Sequence, residues 1–252
     1  MIAGIILAAG RGTRIKSTTN NKVTIPFLNK PMILYGVEFL SQVASPVIVV
    51  VGAFADSVRE VLKNYDVIFA HQTDQLGTAH AVAAGLEELD GIADDGSLVL
   101  VGYGDHMMFY TIDTANDLIS YHKTHQAAIA LVTTKVPDPT GYGRIIRNAS
   151  GHVDAIVEEK DAAADQKQIR EINAGLYCFN YSFLKDNINK IEKSPVTGEY
   201  YLTDLVAIAN NQGKKVAGLE VEFKNVGIGI NRPEELAESQ KIYLENKSDQ
   251  TT

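Results

Sequence analysis

Short apolar runs rich in β-branched residues alternate with segments of helical periodicity through the first half of this 252-residue chain. The apolar runs lie at 2–8, 47–51, 67–70 and 98–101, the helical patterns between them at 31–43, 56–64 and 77–89, and a further helix and strand are predicted at 111–125 and 127–134. Strands that are apolar on both faces and separated by helices are typical of a parallel sheet covered on both sides. The sequence therefore predicts an α/β fold with a doubly wound sheet.

The second half of the chain has a more mixed pattern. The stretch GYGRIIRNASGHVDAIVEE at 141–159 is punctuated by Gly and Asn and predicts an antiparallel hairpin. Strands are predicted at 172–180 and 216–221, and helices at 199–210 and 233–245, the last with a Pro in its first turn. We therefore expect a mixed, mostly parallel sheet, with the whole chain, 1–252, forming one domain.

Composition excludes several classes of function. With a net charge of −8 the chain lacks the broad cationic surface that general binding to nucleic acid or anionic membranes requires. The N-terminal apolar run is too short to span a membrane and has no cationic segment before it, unlike a signal peptide. The single cysteine, Cys178, lies in a strand-like stretch and fits core packing in a reducing compartment. We expect a cytoplasmic protein that binds neither nucleic acid nor membranes.

A glycine-rich turn with basic residues follows the first predicted strand. Gly10 and Gly12 allow the backbone to approach a ligand closely, and Arg14 and Lys22 supply local positive charge, which together favour a phosphate site. The turn does not match a Walker A loop, and Ile15 stands where a dinucleotide fingerprint has its third glycine. The simpler alternative is a loop of solvated cations.

A carboxylate, Asp105, closes the apolar run SLVLVGYGD at the carboxyl end of a predicted strand. Open α/β sheets bind ligands at these ends, and a hard oxygen donor there suits Mg²⁺, which takes one or two protein oxygens besides phosphates and water. The alternative is an ordinary turn carboxylate. The amide of Asn231, two residues before Pro233, can serve equally well as a ligand or as the N-cap of a helix.

Ordered motifs run along nearly the whole chain: LAAGRGTR (7–14), HQTDQLGTAHA (71–81), YGD (103–105), GYGRI (141–145), IVEEKDA (156–162), EINAGLY (171–177), EYYLTDL (199–205) and GINRPEEL (229–236). Together they resemble the sugar-phosphate nucleotidyltransferases, and most of all the uridylyltransferase domain of bacterial N-acetylglucosamine-1-phosphate uridylyltransferases. The first motif alone indicates only the superfamily, whereas EKDA, EINAG and EYYLTD in this order are more specific.

The resemblance implies a Rossmann-like nucleotidyltransferase fold and Mg²⁺-dependent transfer of a uridylyl group from UTP to N-acetylglucosamine-1-phosphate. It places nucleotide binding in about 1–110 and acceptor binding in about 111–240. Two alternatives stay open: the same chemistry on glucose-1-phosphate with UTP or dTTP, and a nucleotide-sugar-binding protein without turnover. The oligomeric state is not indicated by the sequence.

The family motifs also imply a role for individual residues. Catalytic roles fall on Arg14, Lys22 and Asp105, and the metal ligands on Asp105 and Asn231. Nucleotide contacts fall on Leu7, Ala8, Ala9, Gly10, Gly12, Gln72, Gly77, Thr78, Tyr103 and Gly104. Sugar contacts fall on Gly143, Glu158 and Asn173, with Tyr201 and Thr203 as further members of the pocket wall. An amide such as Gln72 can both donate and accept, as reading a pyrimidine edge requires.

This chain departs from the family pattern in two places. Between Arg14 and Lys22 it reads IKSTTNN, one residue longer than usual, and it lacks the proline that normally precedes the lysine. The bifunctional members continue into a left-handed β-helix of hexapeptide repeats, and no such repeat occurs in these 252 residues. We therefore expect no C-terminal β-helix domain and no acetyltransferase activity.

Overall fold

The computed structural model describes residues 1–12, 20–230 and 232–249. Its strands are β1 (Ile2–Ala8), β2 (Pro26–Phe27), β3 (Lys30–Pro31), β4 (Val47–Val51), β5 (Ile68–His71), β6 (Leu98–Tyr103), β7 (Ile129–Lys135), β8 (Arg144–Arg147), β9 (Val153–Val157), β10 (Glu171–Asn180) and β11 (Val216–Glu220). Its α-helices are α1 (Met32–Leu40), α2 (Ala55–Val61), α3 (Thr78–Glu87), α4 (Ile112–His125), α5 (Tyr181–Asn187), α6 (Leu205–Asn211) and α7 (Pro233–Asp249).

A twisted central sheet organises the molecule, with strand order β11-β7-β10-β6-β1-β4-β5. The neighbours β5, β4, β1 and β6 are all parallel, and β11 is parallel to β7. The strand β10 runs antiparallel to both β6 and β7, and the hairpin β8–β9 pairs with its beginning. The predicted α/β fold, with its mixed sheet and antiparallel hairpin, is confirmed.

Strand order reverses direction around β1, because the chain moves from β1 outward to β4 and β5 and then returns to the other side of β1 as β6. Such a topological switch point opens a crevice at the carboxyl ends of the two strands, and the βα loops that follow the strands line it. The loops after Ala8 and after Tyr103 therefore face the same crevice.

The sheet is buried on both faces by side chains that alternate along each strand. In β1, Ile5 packs among residues of α3, α5 and α6, whereas the next residue, Ile6, packs among residues of α1, α2 and α4. Both side chains are fully buried, and each contributes about 2 kcal/mol through the hydrophobic effect. Cys178 in β10 is also fully buried, as predicted.

A third apolar cluster attaches the C-terminal part of the chain. Phe27, Phe109 and Tyr243 meet edge to face, with ring centroids 5.4 to 6.3 Å apart, and Ile230 is buried in the same cluster. The backbone N–H of Ile230 donates to the Asp105 carbonyl at 3.3 Å. This packing brings the segment that leads to Asn231 alongside the loop after β6, while Asn231 itself lies outside the described residues.

The predicted helix at 199–210 was wrong in its first turn. The backbone of Tyr200 instead pairs like a strand with the loop before α3: its N–H donates to the Leu76 carbonyl at 2.8 Å, and its carbonyl accepts from the Ala79 N–H at 3.0 Å. A 3-10 turn at Leu202–Asp204 follows, and only then does α6 begin. Helix α5 was not predicted, because it starts directly at the end of β10.

Helix α7 runs to Asp249, four residues beyond the predicted end. Among the described residues, no helix has the length and apolar character needed to cross a membrane.

Candidate active site

The crevice between the ends of β1 and β6 holds a cavity of about 780 Å³. Most of the residues assigned to nucleotide binding and catalysis line it: Leu7, Ala8, Ala9, Gly10, Gly12, Lys22, Gln72, Gly77, Thr78, Tyr103 and Asp105. Residues from separate parts of the sequence thus meet at one edge of the sheet. Arg14 and Asn231 lie outside the described residues, so their assigned roles remain predictions.

The glycine-rich turn brings the end of β1 close to Lys22. Gly12 adopts a left-handed backbone with φ +59°, and a Cβ at this position would lie 3.0 Å from the Cβ of Lys22. A side chain at residue 12 would therefore both strain the turn and push Lys22 away. The turn and the lysine form one unit, although they are separated by ten positions in the sequence.

Lys22 and Asp105 form an ion pair across the crevice between Nζ and Oδ2, with side chains only 15% and 20% exposed. Burial raises the pKa of the Asp105 carboxyl, but the Lys22 ammonium outweighs it, so this pKa lies below its usual value. Asp105 is therefore an ionised carboxylate at neutral pH. Its charge and its place in the crevice suit a hard divalent cation, which makes the donor chemistry compatible with Mg²⁺.

The loop before α3 forms the opposite wall of the crevice. Gln72 is 3% exposed, and its Nε2 donates to the Gly77 carbonyl at 3.1 Å and contacts His80 Nδ1 at 3.0 Å. Among the described residues, the side-chain hydrogen bonds of Gln72 use Nε2, which leaves Oε1 to accept from a ligand. Thr78 Oγ1 accepts from the Leu202 N–H at 2.9 Å, which ties this wall to the segment after Tyr200.

Gly104 was assigned to nucleotide binding, but it packs against β1. Its N–H donates to the Leu7 carbonyl at 3.0 Å, and a Cβ on it would approach that carbonyl oxygen and Ile33 to 3.1 Å. Its absent side chain brings the loop after β6 close to β1.

The residues assigned to the sugar form a second group beside the crevice. Thr203 Oγ1 donates to Glu158 Oε1 at 2.9 Å, and a Cβ on Gly143 would lie 3.3 Å from the same carboxylate oxygen. The Asn173 N–H donates to the Gly143 carbonyl at 2.9 Å. Thr203 and Gly143 thus lie directly against the Glu158 carboxylate, and Asn173 adjoins Gly143. The fifth assigned residue, Tyr201, is half-buried at the edge of this group, where its hydroxyl contacts Thr197 Oγ1 at 2.7 Å.

Two tyrosines connect the sugar group to the crevice. Asn173 Nδ2 donates to the Tyr177 hydroxyl at 2.5 Å, and this hydroxyl lies 3.4 Å from that of Tyr103, which lines the crevice. The two tyrosine rings meet edge to face at 6.3 Å. The nucleotide-type and sugar-type groups are therefore linked by a chain of side-chain contacts that begins at the wall of the crevice.

Comparison with known proteins identifies the family of the chain. A family model described as Nucleotidyl transferase matches residues 3–226. The chain belongs to the nucleotidyl transferase family. It is therefore a nucleotidyltransferase, and the predicted family and enzyme class are confirmed.

Proteins named bifunctional protein GlmU are similar to this nucleotidyltransferase. The protein from Pelobacter propionicus is 39% identical over 243 residues, which are 96% of this chain and 52% of that protein. The one from Brevibacillus brevis is 40% identical over 247 residues, 98% of this chain and 52% of the relative. The one from Caldicellulosiruptor saccharolyticus is 43% identical over 234 residues, 92% and 50% respectively. The chain spans about half the length of the curated relatives it matches.

The Glu158 carboxyl, in the sugar group of this nucleotidyltransferase, has a raised pKa. Burial is the main reason why its pKa is raised, and the carboxylates of Asp204, Asp161 and Glu199 raise it further, against the hydrogen bond from Thr203. Burial and the charge of Asp161 also raise the pKa of Asp204, to about 6. The pKa values of two carboxyl groups in this part of the protein are thus raised toward the neutral range.

Sequence reasoning missed several residues that shape the site. Tyr177 could have been found from its spacing, because residues four apart in a strand point to the same face and Asn173 was already assigned. Asn21 lines the crevice with an almost fully buried side chain. Arg144, only 1% exposed, donates from Nη2 to Glu159 Oε2 at 2.6 Å and so holds the strand next to Glu158. No local signal indicated that these two polar side chains would be buried.

Proposed function

We propose that this nucleotidyltransferase transfers a uridylyl group from UTP to N-acetylglucosamine-1-phosphate, with release of pyrophosphate. The observation that carries the proposal is the continuity of the Lys22–Asp105 crevice with the carboxylate group around Glu158 through Tyr103 and Tyr177. One end offers charges suited to a triphosphate, and the other offers neutral and anionic acceptors suited to a sugar. The order of the family motifs along the chain supports the same substrates.

The proposed reaction forms a bond between a phosphate oxygen of the sugar phosphate and the α-phosphorus of UTP, and breaks the bond between the α- and β-phosphates. Because both substrates are anions, positioning and charge neutralisation are the main contributions a protein can make. In this proposal Lys22 and Arg14 neutralise the triphosphate, and backbone N–H groups of the glycine-rich turn face the nucleotide. Mg²⁺ held by Asp105, with Asn231 as the second protein ligand, would supply further neutralisation of phosphate charge when bound.

Recognition of the bases and sugars follows from hydrogen-bonding capacity. In the proposal, Gln72 Oε1 accepts the imide N–H of uracil, because Nε2 of the same amide is already used by Gly77 and His80. Glu158 accepts from sugar hydroxyls or from the acetamido N–H, with Thr203 fixing the carboxylate. A cytoplasmic location is part of this proposal.

The decisive experiment tests each combination of a nucleoside triphosphate with a sugar phosphate. Purified protein with Mg²⁺ is given each nucleoside triphosphate together with N-acetylglucosamine-1-phosphate, glucose-1-phosphate or mannose-1-phosphate, and pyrophosphate release is followed. We expect the highest kcat/KM for UTP with N-acetylglucosamine-1-phosphate. Equal or faster turnover of glucose-1-phosphate would contradict the assignment of the acetamido sugar. Binding of UDP-N-acetylglucosamine without pyrophosphate release from any pair would instead identify a binding protein.

Glu158→Gln is expected to raise the KM for the sugar phosphate by roughly 10- to 100-fold, since a hydrogen bond to a charged group is worth about 1.5–3 kcal/mol. The KM for UTP should stay unchanged. Ionisation of the sugar phosphate itself affects the KM of both proteins equally, so it cancels in the ratio of variant to wild-type KM. Because the pKa of Glu158 is raised, this ratio should fall toward one as the pH is lowered and the wild-type carboxylate becomes protonated. Steady-state kinetics at several pH values measures it.

The control for the Glu158 experiment is Asp204→Asn. The pKa of Asp204, about 6, places its own titration in the same acidic range. Because the Asp204 carboxylate raises the pKa of Glu158, this substitution should move the pH dependence of the ratio to lower pH without abolishing it. A ratio that is constant with pH would show that ionised Glu158 does not hold the sugar.

A further inference from the structure

Asn21, the residue directly before Lys22, uses all its polar groups inside the protein. Its side chain is 1% exposed, and Nδ2 lies near the carbonyls of Ala8 (2.8 Å), Ala53 (2.8 Å) and Gly10 (3.2 Å). Its Oδ1 accepts from the Val23 N–H at 3.1 Å. Because carbonyls surround one side of the amide and an N–H faces the other, only this orientation of the amide satisfies its partners.

The backbone of Asn21 is held as firmly as its side chain. Its N–H donates to Ser57 Oγ at 2.9 Å, and its carbonyl accepts from the backbone N–H of Thr24 at 3.0 Å and from Oγ1 of the same residue at 2.8 Å. The side chain also caps the 3-10 turn Lys22–Thr24 at its N-terminus. The residue thus joins the end of β1, the loop after β4 and the turn that carries Lys22.

The backbone torsions of Asn21 explain how the chain manages without the family's proline at this position. They are φ −67° and ψ 143°, which are the values that a proline adopts in extended structure. A proline would impose this φ through its ring. Here the ring is absent, and a buried side-chain amide with four hydrogen-bonded neighbours, together with the backbone bond to Ser57, keeps the backbone in the same conformation.

We propose that Asn21 is the positioning residue for Lys22, and that its side-chain amide fixes the lysine toward the crevice in place of a proline. The proposal rests on the proposed function in assigning Lys22 to the phosphates of UTP. It predicts that loss of the amide acts mainly through Lys22, so that it weakens binding of the triphosphate far more than binding of uridine.

The test measures the affinity for UTP and for uridine by titration calorimetry with intact protein. Asn21→Ala should weaken UTP binding by roughly 10- to 100-fold, as expected when a reacting group is displaced by about 1 Å. Uridine affinity should fall far less than UTP affinity, because, of the described residues assigned to nucleotide binding, the amide contacts only the Ala8 and Gly10 carbonyls. Asn21→Pro should recover part of the lost UTP affinity, because its ring restores φ, although it restores neither the amide nor the N–H that donates to Ser57 Oγ. In a Lys22→Met background, Asn21→Ala should have no further effect, since the two residues act as one unit.

Asn187→Ala is the matched control for general destabilisation. Asn187 is 3% exposed, and its Nδ2 donates to the Phe183 carbonyl at 2.8 Å in α5, outside the residues that line the crevice. Its loss should lower the melting temperature without changing UTP affinity. Equal loss of UTP affinity in this control, additivity of the Asn21 and Lys22 substitutions, or no recovery in Asn21→Pro would overturn the positioning role. UTP binding needs no sugar acceptor. The measured UTP affinities can therefore be interpreted even if none of the tested substrate pairs is turned over.

Discussion

Asp105→Asn is expected to lower kcat by about 100-fold or more, since removal of one group that stabilises charge in a preorganised site typically costs about 10²–10³ in rate. The substitution keeps the size of the side chain but removes the negative charge. It leaves the half-buried Lys22 ammonium without the carboxylate that now pairs with it. The crevice would then lose the anionic oxygen donor that follows β6, and the lysine would lose this ion pair. Steady-state pyrophosphate release at increasing Mg²⁺ measures the effect.

The control for Asp105 is Asp90→Asn, which breaks a comparable aspartate–lysine pair on the surface with Lys185. Exposed pairs of this kind contribute about 0–1 kcal/mol, so this variant should keep wild-type turnover. Binding of Mn²⁺ in the presence of UTP, followed by electron paramagnetic resonance, adds a readout that does not depend on turnover. Wild-type kcat and wild-type Mn²⁺ affinity in Asp105→Asn would show that this carboxylate is not the metal ligand.

The fold could be predicted because its signal is repeated and local. Each buried strand of the first half is a short β-branched run, and each is followed by a helical pattern, so the parallel sheet follows from alternation alone. The location of the site follows as well, since Gly10 and Asp105 end two strands that flank the switch point. The alternation of apolar strands and helical patterns therefore predicts both the sheet and the position of the crevice.

Contacts between distant segments could not be predicted in the same way. The residues after Glu199 have helical composition, yet Tyr200 forms strand-like hydrogen bonds with Leu76 and Ala79, which lie more than 120 positions earlier. The local sequence indicates a turn at Asn21. Its side chain is buried and hydrogen-bonded because residues distant in the sequence surround it. Local propensity is a weak guide wherever such long-range hydrogen bonds fix the backbone.

Gly77→Ala is expected to have the largest effect on stability, because residue 77 is where the nucleotide wall meets the segment of Tyr200. Gly77 has φ +113°, and a Cβ there would lie 2.4 Å from the Tyr200 carbonyl oxygen and 2.7 Å from its nitrogen. Backbone strain and overpacking each cost about 1–3 kcal/mol, and together they correspond to a fall of roughly 4–24 °C in melting temperature for a protein of this size.

The same substitution should impair binding on both sides of the site. The clash separates Tyr200 from Leu76 and Ala79, and it disturbs the hydrogen bond between Thr78 and Leu202 that continues toward Thr203 and Glu158. We therefore expect the KM values for UTP and for the sugar phosphate to rise together. Gly213→Ala provides the comparison: its φ of +66° is also positive, with a smaller backbone penalty than the φ +113° and ψ 179° of Gly77, and its Cβ would meet nothing within 4 Å. If both variants lose equal stability and both keep wild-type KM values, contact between these segments does not couple the two halves of the site.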